Sequence, residues 1–419
     1  MKILLMGQHF APEDVSGAVL ATELASDLHK LGHEVSFVTC APNYPAGVVF
    51  PDYQNRLISK KTMAGVKVIR TWSYITPKKS FWLRILSFGT FSITAFLGGL
   101  VAGKQDLIIS YSPPLTLGIS AWLLSRLWNT PWVLRVEDLY PRVAVATGIL
   151  KDKAVIALLE KLELFLYRKA THISLISASF RTDLIRRGIP ATKLSITSVW
   201  ADPDQIHPLN KDNGFRREHG LLDTFVVLYA GNLGHTSEFE DILHIAYQWR
   251  SDLSVRFVFV GTGVKKEELQ KLASQLELQN VMFLPYQPRE RYSEVLAAAD
   301  VGLVTLNVNS AASSLPSKVF NIMASGRPVL AIALPQSDLA KLIRKYSCGI
   351  AVEPGNLDQL KQALIELKAR SQQKSDLLGS NGRKALIEHF SRVMTIQKFE
   401  KLFKETILHG YQPVDSGSL

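Results

Sequence analysis

The chain has 419 residues, 47% hydrophobic and 20% charged, which is ordinary globular usage and excludes a fibre, a disordered tail and a disulfide scaffold. Its length suits two domains of α/β size, and its net charge of +11 is uneven: residues 1–200 carry 23 Lys and Arg against 13 Asp and Glu, whereas residues 201–419 carry 25 against 24. A basic half of this kind fits a phosphorylated substrate, an anionic membrane surface or nucleic acid, and composition does not choose among them.

The first apolar run, Ile3–Met6, is too short for a signal peptide and is followed at once by Glu13 and Asp14, so it reads as a buried strand of a cytosolic protein. A loop from Gly7 to Gly17 leads into a helix over Val19–Leu31. A glycine at such a turn lets backbone N–H groups approach a phosphate, with a plain turn as the alternative. Gly7 and Gly17 do not match G-x-G-x-x-G, which argues against a dinucleotide fold. Further strands are expected at Glu34–Thr39, Val66–Ile69, Leu107–Ser110, Trp132–Val136, Ile173–Ile176 and Leu194–Val199, alternating with helices as in parallel sheets. Cys40 and Cys348 each lie in apolar stretches far apart in the chain, as buried free thiols do in a reducing compartment.

Two segments of this half stand out. Lys78-Lys79-Ser-Phe81-Trp82-Leu-Arg84 joins cations to aromatic rings and precedes Ile85–Gly103, which has no charged residue but four glycines and the hydroxyls of Ser87, Thr90, Ser92 and Thr94. The pattern favours a buried or membrane-skimming helix over a full span, with peripheral association at an anionic surface as the expectation. After Trp132–Val136 come two adjacent acids, Glu137 and Asp138, beside Tyr140-Pro141. Paired acids at a strand's carboxyl end are candidates for chemistry; the alternative for Asp138 is a helix cap.

The stretch Asp202–Gly214, rich in Asp, Asn and Pro, reads as a linker, giving domains over 1–204 and 205–390 and a terminal segment 391–419 whose helix, Arg392–Thr406, packs back on the first domain. Strands then resume at Phe225–Ala230, Val255–Val260, Val281–Leu284, Val301–Leu306 and Pro328–Ile332, with helices at Lys265–Leu276 and Leu357–Ala369. Gly231-Asn232-Leu-Gly234 follows one strand and Gly261-Thr262-Gly263 the next, so flexible backbone collects at one sheet edge. In Pro316-Ser317-Lys318, Ser317 suits an N-cap or first-turn position and Lys318 stands at the positive end of a helix, a conflict that a bound diphosphate would relieve.

Gly-His-Glu-Val at 32–35, the Tyr-Ala-Gly and Gly-Thr-Gly turns, Ala-Ala-Ala-Asp-Val at 297–301 and Met-Ala-Ser-Gly-Arg-Pro-Val at 323–329 resemble a family 4 retaining glycosyltransferase. Ser-Pro-Pro-Leu at 112–115, Glu-Asp-Leu-Tyr-Pro at 137–141 and Pro-Ser-Lys at 316–318 resemble its exopolysaccharide, colanic-acid-like branch. The resemblance implies two Rossmann-like doubly wound α/β domains facing a cleft (GT-B type) and a nucleoside-diphosphate-sugar donor, a substrate and not a cofactor, held mainly by the second domain. Where relatives carry two glutamates for the donor sugar and ribose, this chain has Ser313 and Asn321. Where many carry Arg and Lys around the Tyr-Ala-Gly turn, it has Asn232 and Ser237, which leaves Lys318 as the substitute cation. Glu137 stands where relatives often carry a histidine near the reacting sugar.

The expected reaction is sugar transfer to a lipid-linked or growing polysaccharide acceptor, with Asp138, Glu137 and Lys318 at the reacting centre and Gly17, Gly231, Asn232, Gly261, Gly263, Ser313, Ser317, Lys318 and Asn321 around the donor. Lys78, Lys79, Phe81, Trp82 and Arg84 are assigned to the membrane and acceptor side. Neither a metal nor nucleic acid is expected, since no metal-spaced cluster and no zinc-finger or aromatic RNA-binding pattern occurs. A nucleotide-sugar epimerase of the same fold and a non-enzymatic, membrane-associated nucleotide-binding protein are the alternatives.

Overall fold

The computed structural model describes residues 1–78, 80–308, 315–372 and 377–409 and divides the chain into two α/β units. One is Met1–Ser198 with the chain from Ile396 on, the other Val199–Thr395. The division falls ahead of the stretch expected as a linker, which is built into the second unit. The Asp202 carboxylate accepts from Arg392 at 3.0 Å, Lys211 pairs with Asp300 at 2.8 Å, and Asn213 caps the helix Gly214–Glu218 by accepting from the Arg216 N–H at 3.1 Å. The partners of Asp202 and Lys211 come from distant sequence, which local composition does not reveal.

The first unit holds an eight-stranded sheet of β1 (Lys2–Met6), β2 (Glu34–Cys40), β3 (Ile58–Met63), β4 (Val66–Thr71), β5 (Leu107–Ser112), β6 (Trp132–Val136), β7 (His172–Leu175) and β8 (Leu194–Ile196), in the order β3-β4-β2-β1-β5-β6-β7-β8. Neighbouring strands are parallel except β3 and β4. Burial on both faces explains the continuous apolar runs: every residue of β5 and β6 is buried. The edge strand β3 is absent from the apolar pattern because it reads Ile-Ser-Lys-Lys-Thr-Met, with Lys60 and Lys61 exposed, as suits an edge. The strand order reverses at β1 and β5, so their carboxyl ends open where a doubly wound sheet binds ligands.

Three helices of this unit matter below: α1 (Ser16–Lys30), α2 (Phe81–Ala102) and α3 (Leu117–Trp128). One side of α2 lies on the sheet, burying Phe88, Phe91 and Ala95, while the Thr94 hydroxyl donates to the Trp72 carbonyl at 2.5 Å. Gly98 makes this approach possible, since a methyl there would stand 2.8 Å from the Thr71 methyl.

The second unit holds β9 (Phe225–Ala230), β10 (Val255–Val260), β11 (Val281–Leu284), β12 (Val301–Thr305), β13 (Val329–Ile332) and β14 (Gly349–Val352), all parallel, ordered β11-β10-β9-β12-β13-β14. This is the doubly wound order, with its reversal between β9 and β12. Its core joins Phe225, Tyr229, Phe239, Phe257 and Leu303, with Tyr229 edge-on to Phe239 at 4.9 Å between centroids. The Asp of Ala-Ala-Ala-Asp-Val has a structural task. Asp300 accepts from Arg216 at 2.5 Å, Ser371 at 2.6 Å and the Val226 N–H at 2.9 Å. Burial alone would raise its pKa, but Arg216 and these hydrogen bonds hold the carboxyl below its ordinary value.

Candidate functional sites

In the second unit the ladder continues past the strand ends. The Gly231 N–H donates to the Val260 carbonyl at 2.9 Å and the Gly261 N–H to the Leu284 carbonyl at 2.9 Å. The two glycine turns touch through bare backbone: with φ at +151°, a side chain on Gly261 would begin 2.0 Å from the Gly231 carbonyl oxygen. A side chain on Gly263 would begin 2.3 Å from the Leu233 carbonyl oxygen, so Gly231, Gly261 and Gly263 form one backbone surface.

Lys318 is the first residue of the helix Lys318–Ala324 and reaches this surface. Its Nζ donates to Tyr229 Oη at 2.9 Å, lies 4.7 Å from the centre of that ring, and stands 3.4 Å from where a Gly231 side chain would begin. Tyr229 Oη in turn donates to the Asn232 carbonyl at 2.7 Å. Ser317 occupies the N-cap position without a side-chain capping hydrogen bond, and Asn321 donates to Tyr292 Oη at 3.4 Å. Asn232 is exposed beside the same turn. Ser313 lies outside the described residues.

A second cation at this surface escaped the sequence reading. Lys266, first residue of the helix Lys266–Gln275, donates to the Gly261 carbonyl at 3.1 Å, while Lys265 pairs with Glu240 at 2.5 Å. Lys266 and Lys318 therefore converge on adjoining glycine turns from two helix starts, each at the end where the macrodipole disfavours a cation. The signal was available, since Lys266 follows Gly261 by five residues at the start of a clear helical pattern.

In the first unit Glu137 follows β6 directly, its N–H bonded to the Ser112 carbonyl at 2.9 Å. Its carboxylate lies 3.8 Å from Nε of Arg135, which is buried and bonded to Thr197 Oγ1 at 2.7 Å and Ser174 Oγ at 3.0 Å. Burial raises the Glu137 pKa, with Arg135 and His9 opposing. Asp138 is pushed up to about 7 by burial and by the neighbouring Glu137, with Arg84 opposing. A capping role for Asp138 is not what the structure shows: the next helix is Arg142–Ala146, with Pro141 at its N-cap and no side-chain cap. Gly17 sits in the first turn of α1, where a side chain would begin 3.9 Å from Glu137 Oε2.

Beside these acids lies a dyad not foreseen from the sequence. Glu13, 3% exposed, accepts from His9 Nδ1 at 2.8 Å and from the N–H groups of Asn43 and Tyr44 at 2.7 and 2.8 Å. Burial would raise its pKa, yet His9 and the two backbone donors hold it below the usual value. One carboxylate thus ties the loop after β1 to the loop after β2.

On the acceptor side assigned above, Lys78 is exposed and Lys79 lies outside the described residues. Phe81 and Trp82 meet edge-on at 5.3 Å, and the Arg84 guanidinium covers the Phe88 ring at 5.2 Å. Cys40 and Cys348 are free and buried, their thiols each pushed up to about 12 by burial. Among the described residues no group of three His, Cys, Asp or Glu is placed to hold a metal ion.

Two family models match: "Glycosyl transferase 4-like domain" over residues 17–200 and "Glycosyl transferases group 1" over residues 212–385. WcaI of Escherichia coli (strain K12), described as a colanic acid biosynthesis glycosyl transferase, is 28% identical over 378 residues, covering 87% of this chain and 92% of its own. Among solved structures, sucrose-phosphate synthase from Thermosynechococcus elongatus superposes with a TM-score of 0.75 at 17% identity, covering 97% of this chain and 98% of that one. Anabaena HepE in complex with UDP-glucose does so with 0.71 at 16% identity, covering 97% and 100%. The two structures share the GT-B fold of paired α/β domains. With both of its halves matched in order, the chain belongs to the group 1, family 4-like glycosyltransferases.

Proposed function

We propose that the protein is a retaining, metal-independent transferase that moves a sugar from a nucleoside-diphosphate donor to a lipid-linked or growing polysaccharide acceptor in exopolysaccharide or cell-envelope glycan synthesis. The observation that carries the donor assignment is the convergence of Lys318 and Lys266 on the contiguous backbone of Gly231 and Gly261. Bare backbone admits a diphosphate closely, and two ammonium groups offset its charge and that of the leaving group. HepE, which has the same fold, is seen with UDP-glucose, and WcaI is named for colanic acid synthesis; both support the reading.

In this reaction the bond between the anomeric carbon and the diphosphate oxygen breaks. The acceptor hydroxyl oxygen bonds to that carbon on the same face, and its proton passes to the departing diphosphate. No protein nucleophile is required. Positioning and charge stabilisation supply the rate, with Lys318 and Lys266 at the diphosphate and Asp138 and Glu137 at the reacting sugar. Two buried free thiols suit a cytoplasmic enzyme acting at the inner face of the cell membrane.

The test is a panel of nucleotide sugars screened for protection against heat unfolding. A donor at 100 times its dissociation constant adds about 2.7 kcal/mol of stability. The product of the protecting donor is then examined by NMR. A glycoside of retained anomeric configuration is expected. An inverted glycoside overturns the retaining mechanism, and an epimerised nucleotide sugar without a glycoside overturns transfer.

A further inference from the structure

The sugar-transfer chemistry leaves the outer side of α2 unused. This is the helix, among the described residues, that is long and apolar enough to cross a membrane. Its inner side lies on the sheet, bonded through Thr94 to Trp72, so it cannot be surrounded by lipid. Its outer side shows Trp82, Leu86, Ile93, Leu97, Leu100 and Val101 to solvent, with Trp82 62% and Ile93 70% exposed. Steps of three, four and seven align them along one stripe.

The stripe does not end with α2. Helix α3 lies alongside, joined by the Ser120 hydroxyl donating to the Ser92 carbonyl at 2.6 Å and by the Ser92–Thr116 hydroxyl pair at 2.7 Å. It adds Leu123 and Leu127, the latter 61% exposed. Over residues 78–128 the chain carries Lys78, Lys79, Arg84, Lys104 and Arg126 against a single acid, Asp106, and no acid lies on either helix. An apolar face of two helices with cations and almost no carboxylates is complementary to an anionic lipid surface.

We infer that the joint outer face of α2 and α3 docks this protein onto an anionic phospholipid bilayer, and that the acceptor is a glycan anchored in that same bilayer. Docking is interfacial: the stripe enters the headgroup region while the sheet side stays covered by protein. The acceptor clause rests on the transferase reading above; docking does not.

The experiment floats the full chain with vesicles of phosphatidylcholine, with or without phosphatidylglycerol, and compares it with Ile93→Ser/Leu127→Ser and with Lys78→Gln/Arg126→Gln. Wild type is expected to float with the anionic vesicles and be released by salt. The apolar double variant is expected to bind about tenfold more weakly while keeping its melting temperature. Transfer to a short water-soluble glycan is expected to be unchanged in that variant, and transfer to the same glycan on a polyprenyl diphosphate in vesicles to fall. Equal flotation of wild type and the apolar variant overturns docking. Resistance to carbonate extraction overturns interfacial docking in favour of insertion. Self-association abolished by the same substitutions assigns the face to a second copy instead. Undiminished transfer to the vesicle-borne glycan by a variant that no longer floats overturns the acceptor clause. Flotation without transfer to any acceptor leaves docking standing and overturns the transferase reading.

Discussion

Tyr229 holds the Lys318 ammonium twice, by its hydroxyl at 2.9 Å and by its ring face at 4.7 Å, and so fixes a cation beside the Gly231 backbone. Lys318→Ala is expected to lower kcat/KM by roughly 2–4 kcal/mol of transition-state stabilisation, the scale for one oxyanion-type partner. Tyr229→Phe keeps the ring and removes the hydroxyl, so its loss should be smaller and the fold retained. Steady-state kinetics with the protecting donor decide this, and unchanged kcat/KM in Lys318→Ala refutes the diphosphate assignment.

Lys266 should behave as the partner of Lys318. Lys266→Gln removes its charge at the Gly261 carbonyl, where the lysine sits now at 3.1 Å. Weaker binding of the nucleoside diphosphate by about 1–2 kcal/mol is expected in calorimetry, typical of one charge-assisted hydrogen bond. Equal affinity of wild type and variant would remove Lys266 from the site.

Asp138 carries a pH signature. Its pKa is raised to about 7, so the folded protein keeps the proton that the unfolded chain releases near pH 4. Between these values the folded state binds more protons, and stability falls as pH rises towards 7. Asp138→Asn keeps the shape without the charge, so its melting temperature should exceed that of wild type at pH 8 and approach it at pH 4, while turnover falls at pH 8, where the wild-type carboxylate is charged. A variant less stable than wild type at pH 8 contradicts this account.

Glu13 runs in the opposite direction. Its pKa is depressed, so its contribution is present above the ordinary carboxylate range and lost as pH falls through the folded value. Glu13→Ala leaves the Asn43 and Tyr44 N–H groups and His9 without their acceptor. About 1–3 kcal/mol of stability should be lost at neutral pH, with less lost in acid. Denaturant titrations at two pH values measure both, and a pH-independent difference counts against the dyad.

Much of the fold follows from local pattern. Alternating apolar runs and helical periods marked twelve of the strands, because a parallel strand buried on both faces must be apolar throughout. The polar edge strand Ile58–Met63 carries no such mark, since an edge faces water, and Gly349–Val352 opens on a glycine with only Val352 fully buried. Glu137, Asp138, Gly231, Gly261 and Lys318 were legible because each stands immediately after a strand or at a helix start, where backbone geometry exposes polar groups. What only the tertiary structure decided is which of these meet. Tyr229 and Lys318, 89 residues apart, touch because strand order brings β9 beside β12. Glu13 binds the N–H groups of Asn43 and Tyr44 because β1 and β2 are paired. The uncharged segment after Arg84 shows the same division: composition told that it avoids charge, whereas the hydroxyl bonds of Ser92 and Thr94 decided which side meets protein and which is left open.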